Sequence, residues 1–332
     1  MGSTTNFIKM GGLFADMRFI RHVLTQFLAL LTTAAQAPLL IGGQAVMEGV
    51  MMKSKHHIAT AVRKEDGTIK VSHRTEVGFA ERHRLDRIPF VRGVVILFET
   101  LIIGLRELNW SANQAMNEEE KFSSWELALT LVISLVFALA LFKLLPLFLA
   151  TLITRQNGGG NWTLNLLDGG IKFVIFIGYL LLIGRMRDVR RLFQYHGAEH
   201  KTVNCYEAGK ALTPRNAKRF TKKQARCGTT FVVYVFVLSI VVYIFIPFGA
   251  SFWTKYLLRI LLLPVIAGIA YEWIRIAGKY YGRSAVVRAI SAPGMAVQAL
   301  TTKEPDERQL AVAIAALKSV LKEEKKERQV TA

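Results

Sequence analysis

Four long apolar segments, at about 125–153, 164–184, 229–250 and 256–278, constrain this chain more than any other feature. The hydrocarbon core of a bilayer is about 30 Å thick, and a helix needs about 20 apolar residues to cross it. All four segments meet that length, and the charges are concentrated between them. At 332 residues the chain is long enough for two soluble domains. Yet 52% of its residues are apolar, only 20% are charged and the mean hydropathy is +0.31, which excludes a wholly soluble enzyme and an intrinsically disordered chain. The first segment is overlong and contains Lys143 and Pro146, so a tilt or kink is expected near its far end.

The connections between the segments set an orientation. The turns Arg155–Thr163 and Ser251–Lys255 carry one basic residue each, whereas the connection 185–228 carries twelve Lys and Arg against three Asp and Glu. The positive-inside rule places that loop, and with it both termini, in the cytoplasm. Cys205 and Cys227 both lie in this basic region. Two cysteines make no disulfide framework, and reduced thiols are expected in that compartment. Asn6 stands where a myristoylation signal requires Ser or Thr, and 27–41 lacks a clear cleavage site, so neither a lipid anchor nor a signal peptide is expected.

Two further apolar stretches are less decisive. Residues 27–41 are short for a span. Residues 88–105 are nearly long enough, but Arg92, Glu99 and Arg106 recur every seven residues and share one helix face. Were both to cross, the basic segment 42–87 would lie outside. The stretch 88–105 therefore reads as an interfacial or re-entrant helix, with a fifth span as the alternative. Segment 42–87 reads as a small β-rich module, because Ile58–Arg63 and Thr68–Val71 flank an Asp66-Gly67 hairpin signal. Near the end, Leu310, Ile314, Leu317 and Leu321 form one stripe on a helix over 306–328, whose charged tail is expected to fray.

The expected fold is thus mainly α, a polytopic helical membrane protein with a small cytosolic β-hairpin module and a cytosolic C-terminal helix. Its parts are an N-terminal tail with a weakly apolar helix (1–41), the β-rich module (42–87) and the interfacial or re-entrant helix (88–108). A transmembrane hairpin (125–184), the basic cytosolic loop (185–228), a second transmembrane hairpin (229–278) and the C-terminal region (279–332) follow. There is no internal repeat and no nucleotide-binding glycine motif.

Of seven histidines, His196 and His200 stand out, in Tyr195-His-Gly-Ala-Glu-His-Lys201. Four residues apart on a helix, both imidazoles face one side and can share a metal ion, and Glu199 completes the His-x-x-Glu-His spacing of inverted zincins, where the glutamate acts as general base. The same spacing also occurs on ordinary helix surfaces. Topology brings Cys227, at the start of one span, and Glu272, near the end of another, to the same depth. Glu272 is either a third metal ligand or the salt-bridge partner of Arg275. Cys227 is either a ligand or a small buried residue at a helix start. In Gly42-Gly43-Gln44-Ala-Val-Met-Glu48-Gly49, the glycines suggest close backbone approach around two polar side chains. Glu48 is a metal ligand or general base in one reading. In the other the stretch is a helix start with methionines filling core.

These motifs, with VRGVVILFETLIIG (91–104), RCGTTF (226–231), YEWIRIAG (271–278) and LTTKEPDERQLAVAIAALK (300–318), resemble the YqhQ-like family over roughly 42–322. That resemblance implies a bacterial integral membrane protein of the cytoplasmic membrane, from a family of unknown function usually labelled a predicted metal-dependent enzyme. It marks Gly42, Gly43, Gln44, Glu48 and Gly49, then His196, Gly197, Glu199, His200 and Lys201, then Arg226, Cys227, Gly228, Tyr271, Glu272 and Arg275. The family has His-Pro before Arg-Cys-Gly, where this chain has Gln224-Ala225. The departure leaves His196 and His200 as the metal pair, or no metal at all.

Two functional expectations follow. In the first, His196, His200 and Glu272, with Cys227 as a further candidate, hold zinc or another divalent metal at the cytosolic membrane face. Glu199 then activates water, and Lys201, Arg226 or Arg275 stabilises negative charge in a hydrolase-like reaction. In the second, the protein is a non-catalytic membrane partner whose basic face engages anionic lipid, the ribosome or another membrane complex. Solute transport is a weaker third, since Glu272 is the evident deep carboxylate and no inverted repeat is visible. No specific nucleic-acid partner is expected.

Overall fold

The computed structural model describes residues 41–115 and 124–331. The expected N-terminal tail and helix therefore lie outside the described residues, apart from Ile41. The chain begins with four strands, β1 (Gly42–Val46), β2 (Gly49–Lys53), β3 (His57–Arg63) and β4 (Ile69–Thr75). They form an antiparallel meander in the order β1-β2-β3-β4. The Asp66-Gly67 turn joins β3 to β4 as expected, with Asp66 Oδ1 accepting from the Thr68 amide at 2.8 Å and Gly67 at φ 84°. The stretch 42–53 is a second hairpin, not a helix start: Val46 pairs with Gly49 across the turn Met47-Glu48.

Alternation along β2 and β3 explains why the sheet needs cover on both faces. Val50 and Met52, with Ala59 and Ala61, point to one side, where they pack with Tyr195 and Ala198 and with Leu310, Ile314 and Leu317. Met51, Ile58 and Val62 point to the other and pack on Ile103, Leu108 and Trp110. A short helix α1 (Phe79–Arg82) precedes α2 (Val91–Ala115), which carries the second set. Of the four charged residues of α2, Arg92 and Glu107 are buried, Arg92 pairing with Glu272 and Glu107 Oε2 accepting from Thr60 Oγ1 at 2.6 Å; Glu99 Oε1 accepts from the Ala80 amide at 2.5 Å, and the exposed Arg106 pairs with Glu76. Phe98, Leu101 and Ile102 are exposed.

Next come α3 (Ser124–Leu139), a π-helical turn (Ala140–Leu144), α4 (Leu145–Gln156) and α5 (Asn161–Ile183). The π turn sits where a kink was expected, just ahead of Pro146, which has no N–H to give to the carbonyl four residues earlier. Helices α6 (Arg187–Glu207), α7 (Pro214–Lys218), α8 (Gly228–Tyr243), α9 (Phe252–Leu261), α10 (Leu263–Tyr280), α11 (Ala285–Thr301) and α12 (Glu307–Thr331) complete the chain.

The fold is mainly helical with a small antiparallel sheet. Among the described residues two helical stretches, Leu129–Gln156 and Asn161–Ile183, are long and apolar enough to cross a membrane. A third is added if α9 and α10 form one span, bent by 40°. That differs from the four expected. The segment expected at 229–250 is helical only to Tyr243, 16 residues, before a turn containing Pro247, and the segment 256–278 breaks at Leu262, just before Pro264. Helix α12 also differs from expectation, continuing through its charged tail to Thr331 because Glu327 is held by His57 Nε2 at 2.8 Å and by His56.

Candidate metal centre

Helix α6 carries the histidine motif, and its buried face includes Tyr195, Gly197, Ala198, Glu199 and His200. Gly197 is where the chain after α11 crosses it: the Lys303 carbonyl occupies the place a Cβ would take, and the Lys303 amide donates to Phe193 O at 2.9 Å. This crossing brings the end of α11 beside His196. The segment before α8 runs along the other flank and delivers Cys227, the N-cap of α8, whose sulfur accepts from the Thr229 amide at 3.4 Å.

The two imidazoles are oriented alike. His196 Nδ1 lies 2.9 Å from Thr301 O, and His200 Nδ1 lies 2.5 Å from Lys222 O. A carbonyl oxygen only accepts, so each Nδ1 carries a proton, and in the neutral form of either ring the lone pair is on Nε2. His196 Nε2 is 3.4 Å from Cys227 Sγ, and the two rings meet edge to face at 4.4 Å. One ligand atom from each of His196, His200 and Cys227 lies within 4.8 Å of the others. Backbone carbonyls on Nδ1 with Nε2 turned inwards is how metal-ligating histidines are held. Tetrahedral bonds of about 2.0–2.3 Å separate neighbouring ligands by about 3.3–3.6 Å, so the His196–Cys227 spacing suits zinc without movement.

Glu199, 4% exposed, completes the cluster, with Oε2 3.3 Å from His200 Nε2. Burial disfavours the His200 imidazolium, but the neighbouring Glu199 carboxylate and Cys227 outweigh it and hold the pKa above the ordinary 6.5. Strand β1 passes directly over Glu199, and a Cβ on Gly43 would stand 2.7 Å from Glu199 Cγ.

The structure brings His196, His200, Cys227, Glu199 and Gly43 together. It takes the other marked residues elsewhere. Glu272 lies in a buried clamp, receiving Arg92 Nε and Nη2 at 2.6 Å each, the Phe90 amide at 3.2 Å and Arg275 Nη1 at 3.2 Å. The alternative partner Arg275 is thus in place, joined by Arg92. Lys201 donates to Glu304 at 2.5 Å and to Lys218 O at 2.8 Å, and Arg226 pairs with Glu207. Glu48 ties the β1–β2 turn to α6 through Arg191 Nη2 at 2.6 Å and Tyr195 Oη at 3.3 Å. The Gln44 amide lies against Gly104, and Gly49 passes tightly beneath the Ala61 carbonyl, while nothing crowds Gly42. Two orienting groups had no signal in the sequence, because Thr301 and Lys222 act through backbone carbonyls. Gln224, the residue at the family's His position, is itself held by Gln298, which accepts from its amide at 3.1 Å and donates to its carbonyl at 2.6 Å.

Comparison with known proteins agrees with this set of motifs. The family described as "Protein of unknown function (DUF1385)" matches residues 88–323. The chain is 33% identical over 301 residues to the uncharacterized protein YqhQ of Bacillus subtilis (strain 168), covering 86% of this chain and 94% of that protein. No solved structure matches. The chain belongs to the YqhQ-like family of unknown function, DUF1385.

Proposed function

We propose that the protein is a metal-dependent, hydrolase-like membrane enzyme whose ligands are His196, His200 and Cys227. The observation that carries this reading is the matched pair of Nδ1-to-carbonyl contacts, which leaves both Nε2 atoms as the ring nitrogens free to face the cluster, His196 Nε2 towards the thiol and His200 Nε2 towards Glu199. Two imidazoles and a thiolate favour zinc among the divalent metals. When bound, such an ion acts as a Lewis acid and lowers the pKa of water to about 7.

The chain's own groups supply the rest. Thr301 O and Lys222 O fix the tautomers. Glu199, beside His200 Nε2, takes the proton from the attacking water and returns it to the leaving group. Gly43 leaves the space in which that carboxylate sits. Lys201, Arg226 and Arg275 each have a carboxylate partner, so none is assigned to the reacting atoms.

In this reading Leu129–Gln156, Asn161–Ile183, the shorter apolar helix α8 and the bent α9–α10 pair cross the bacterial cytoplasmic membrane, so that α11 and α12 return to the side of α6, and the metal site lies at the cytosolic face within the basic connection 185–228. Helix α2 lies in the interface, with Phe98, Leu101 and Ile102 towards the acyl chains and its basic surroundings towards anionic headgroups.

Zinc content of the detergent-purified full chain tests the proposal. The wild type is expected to hold about one zinc per chain. His196→Ala/His200→Ala loses it, and Glu199→Gln keeps the metal while abolishing hydrolysis in a screen of p-nitrophenyl esters and phosphates. A wild type that stays metal-free after zinc reconstitution contradicts the proposal.

A further inference from the structure

A second polar cluster lies inside the apolar helices and shares no residue with the metal centre. Asp168 and Lys172, one turn apart on α5, are 2% and 1% exposed and pair at 3.0 Å. Arg259 of α9, 3% exposed, places Nη1 2.7 Å from the same oxygen, Asp168 Oδ2, and donates from Nη2 to Asn165 Oδ1 at 2.6 Å. Lys143, on the π turn, donates to Tyr243 Oη at 3.1 Å. All three cations surround the Tyr243 ring, at 5.4 Å for Lys143, 5.6 Å for Lys172 and 4.8 Å for Arg259. Asp168 and Arg259 each lie seven residues into their helices, about 10 Å deep at 1.5 Å per residue.

The charges do not balance. Three cations face one carboxylate, and an unpaired charge in hydrocarbon is expensive. The hydrogen bonds do not balance either. Among the described residues Arg259 Nε has no acceptor, and Nη1, though ion-paired with Asp168, has no hydrogen-bond partner. Asp168 Oδ1, also buried, has no donor among the described residues. The missing partner must therefore bring negative charge and acceptor oxygens for the guanidinium and ammonium groups, and also one hydrogen to donate to Asp168 Oδ1. A hydrogen-bearing oxyanion does all three. Sulfate and phosphodiesters, having no such hydrogen near neutral pH, do not.

We propose that Lys143, Lys172, Arg259 and Asp168 form an intramembrane site for a protonated phosphate or phosphomonoester group. Lys143 is its opening, being the only one of the four that is not fully buried. Its neighbours Ala140, Leu141 and Leu144 line an apolar groove of about 770 Å³ with Phe252 and Trp253 on the facing wall. An acyl chain fits that groove, so the phosphomonoester arrives either free in water or as the headgroup of a lipid such as phosphatidic acid.

Thermal unfolding of the purified full chain separates the sources. Phosphate stabilises many proteins by exclusion from their surfaces, so sulfate at matched ionic strength is the control. A rise in midpoint with phosphate but not sulfate, lost in Lys143→Gln, supports the site and a soluble ligand. A rise only in nanodiscs containing phosphatidic acid rather than phosphatidylcholine, again lost in Lys143→Gln, supports the lipid. Equal responses to phosphate and sulfate, or responses that persist in Lys143→Gln, overturn the proposal, as does no response to either phosphate or phosphatidic acid. Should the variant fail to fold, phosphorus NMR of inorganic phosphate with wild-type protein reads the same site. Broadening that excess sulfate leaves intact supports it; broadening that sulfate abolishes, or no broadening of either inorganic phosphate or a water-soluble short-chain phosphatidic acid, overturns it.

Discussion

Gly43 and Glu199 meet although they lie in separate sequence motifs: a Cβ on Gly43 would stand 2.7 Å from Glu199 Cγ and 3.0 Å from its Oε1. Strand β1 is thereby the roof of the metal cluster, and the Gly-Gly-Gln stretch serves α6 through an absent side chain. Gly43→Ala must push either the strand or the carboxylate aside, at a cost of about 1–3 kcal/mol for overpacking. The expected outcome is a lowered unfolding midpoint and, if Glu199 moves, lost hydrolysis with zinc retained. Unchanged stability and activity would mean that the strand gives way freely.

The Arg92–Glu272 clamp joins α2 to α10 through two contacts of 2.6 Å. Breaking a buried pair strands a charge and costs about 3–5 kcal/mol, whereas replacing both partners by apolar residues is far less damaging. Arg92→Leu should lower the unfolding midpoint strongly, and Arg92→Leu/Glu272→Leu should recover much of the loss. Both substitutions leave zinc content unchanged, because the clamp is not part of the ligand set. Additive losses in the double variant would contradict the clamp, and loss of zinc in Glu272→Leu alone would restore Glu272 as a ligand.

Glu327 is held below its ordinary pKa of 4.5 by hydrogen bonds from His57 and His56. A depressed carboxylate adds stability that is fully present above its unfolded pKa and is lost as pH falls through the folded value. The end of α12 should therefore open on acidification below about pH 4.5, seen as faster hydrogen exchange over 322–331. Glu327→Gln should show that faster exchange at neutral pH with little further change on acidification. Identical profiles for the two proteins would exclude this tie.

Parts of this arrangement are legible in the sequence for simple reasons. His196 and His200 are four apart on one helix, and Cys227 opens the next apolar helix, so their meeting follows from helical period and topology. The Asp66-Gly67 turn is equally local. The β1–β2 hairpin is harder, since its glycines and methionines carry little strand propensity and its pairing depends on cover from α2, α6 and α12. Glu272 reads equally as ligand or ion-pair partner because Arg92 lies 180 residues away. The cluster of Lys143, Asp168, Lys172 and Arg259 is hidden for the opposite reason. Each charge sits in an apolar stretch whose average hydropathy absorbs it, and only packing of α5 against α9 and the π turn reveals the shared site.

The ligand set is tested most directly by cobalt(II) substitution of the full-length protein in detergent. A tetrahedral site containing Cys227 predicts intense visible d–d bands with a near-ultraviolet thiolate-to-cobalt charge-transfer band, and loss of that charge-transfer band in Cys227→Ser. Weak octahedral bands in the wild type, or a charge-transfer band that survives Cys227→Ser, would contradict a centre built from His196, His200 and Cys227.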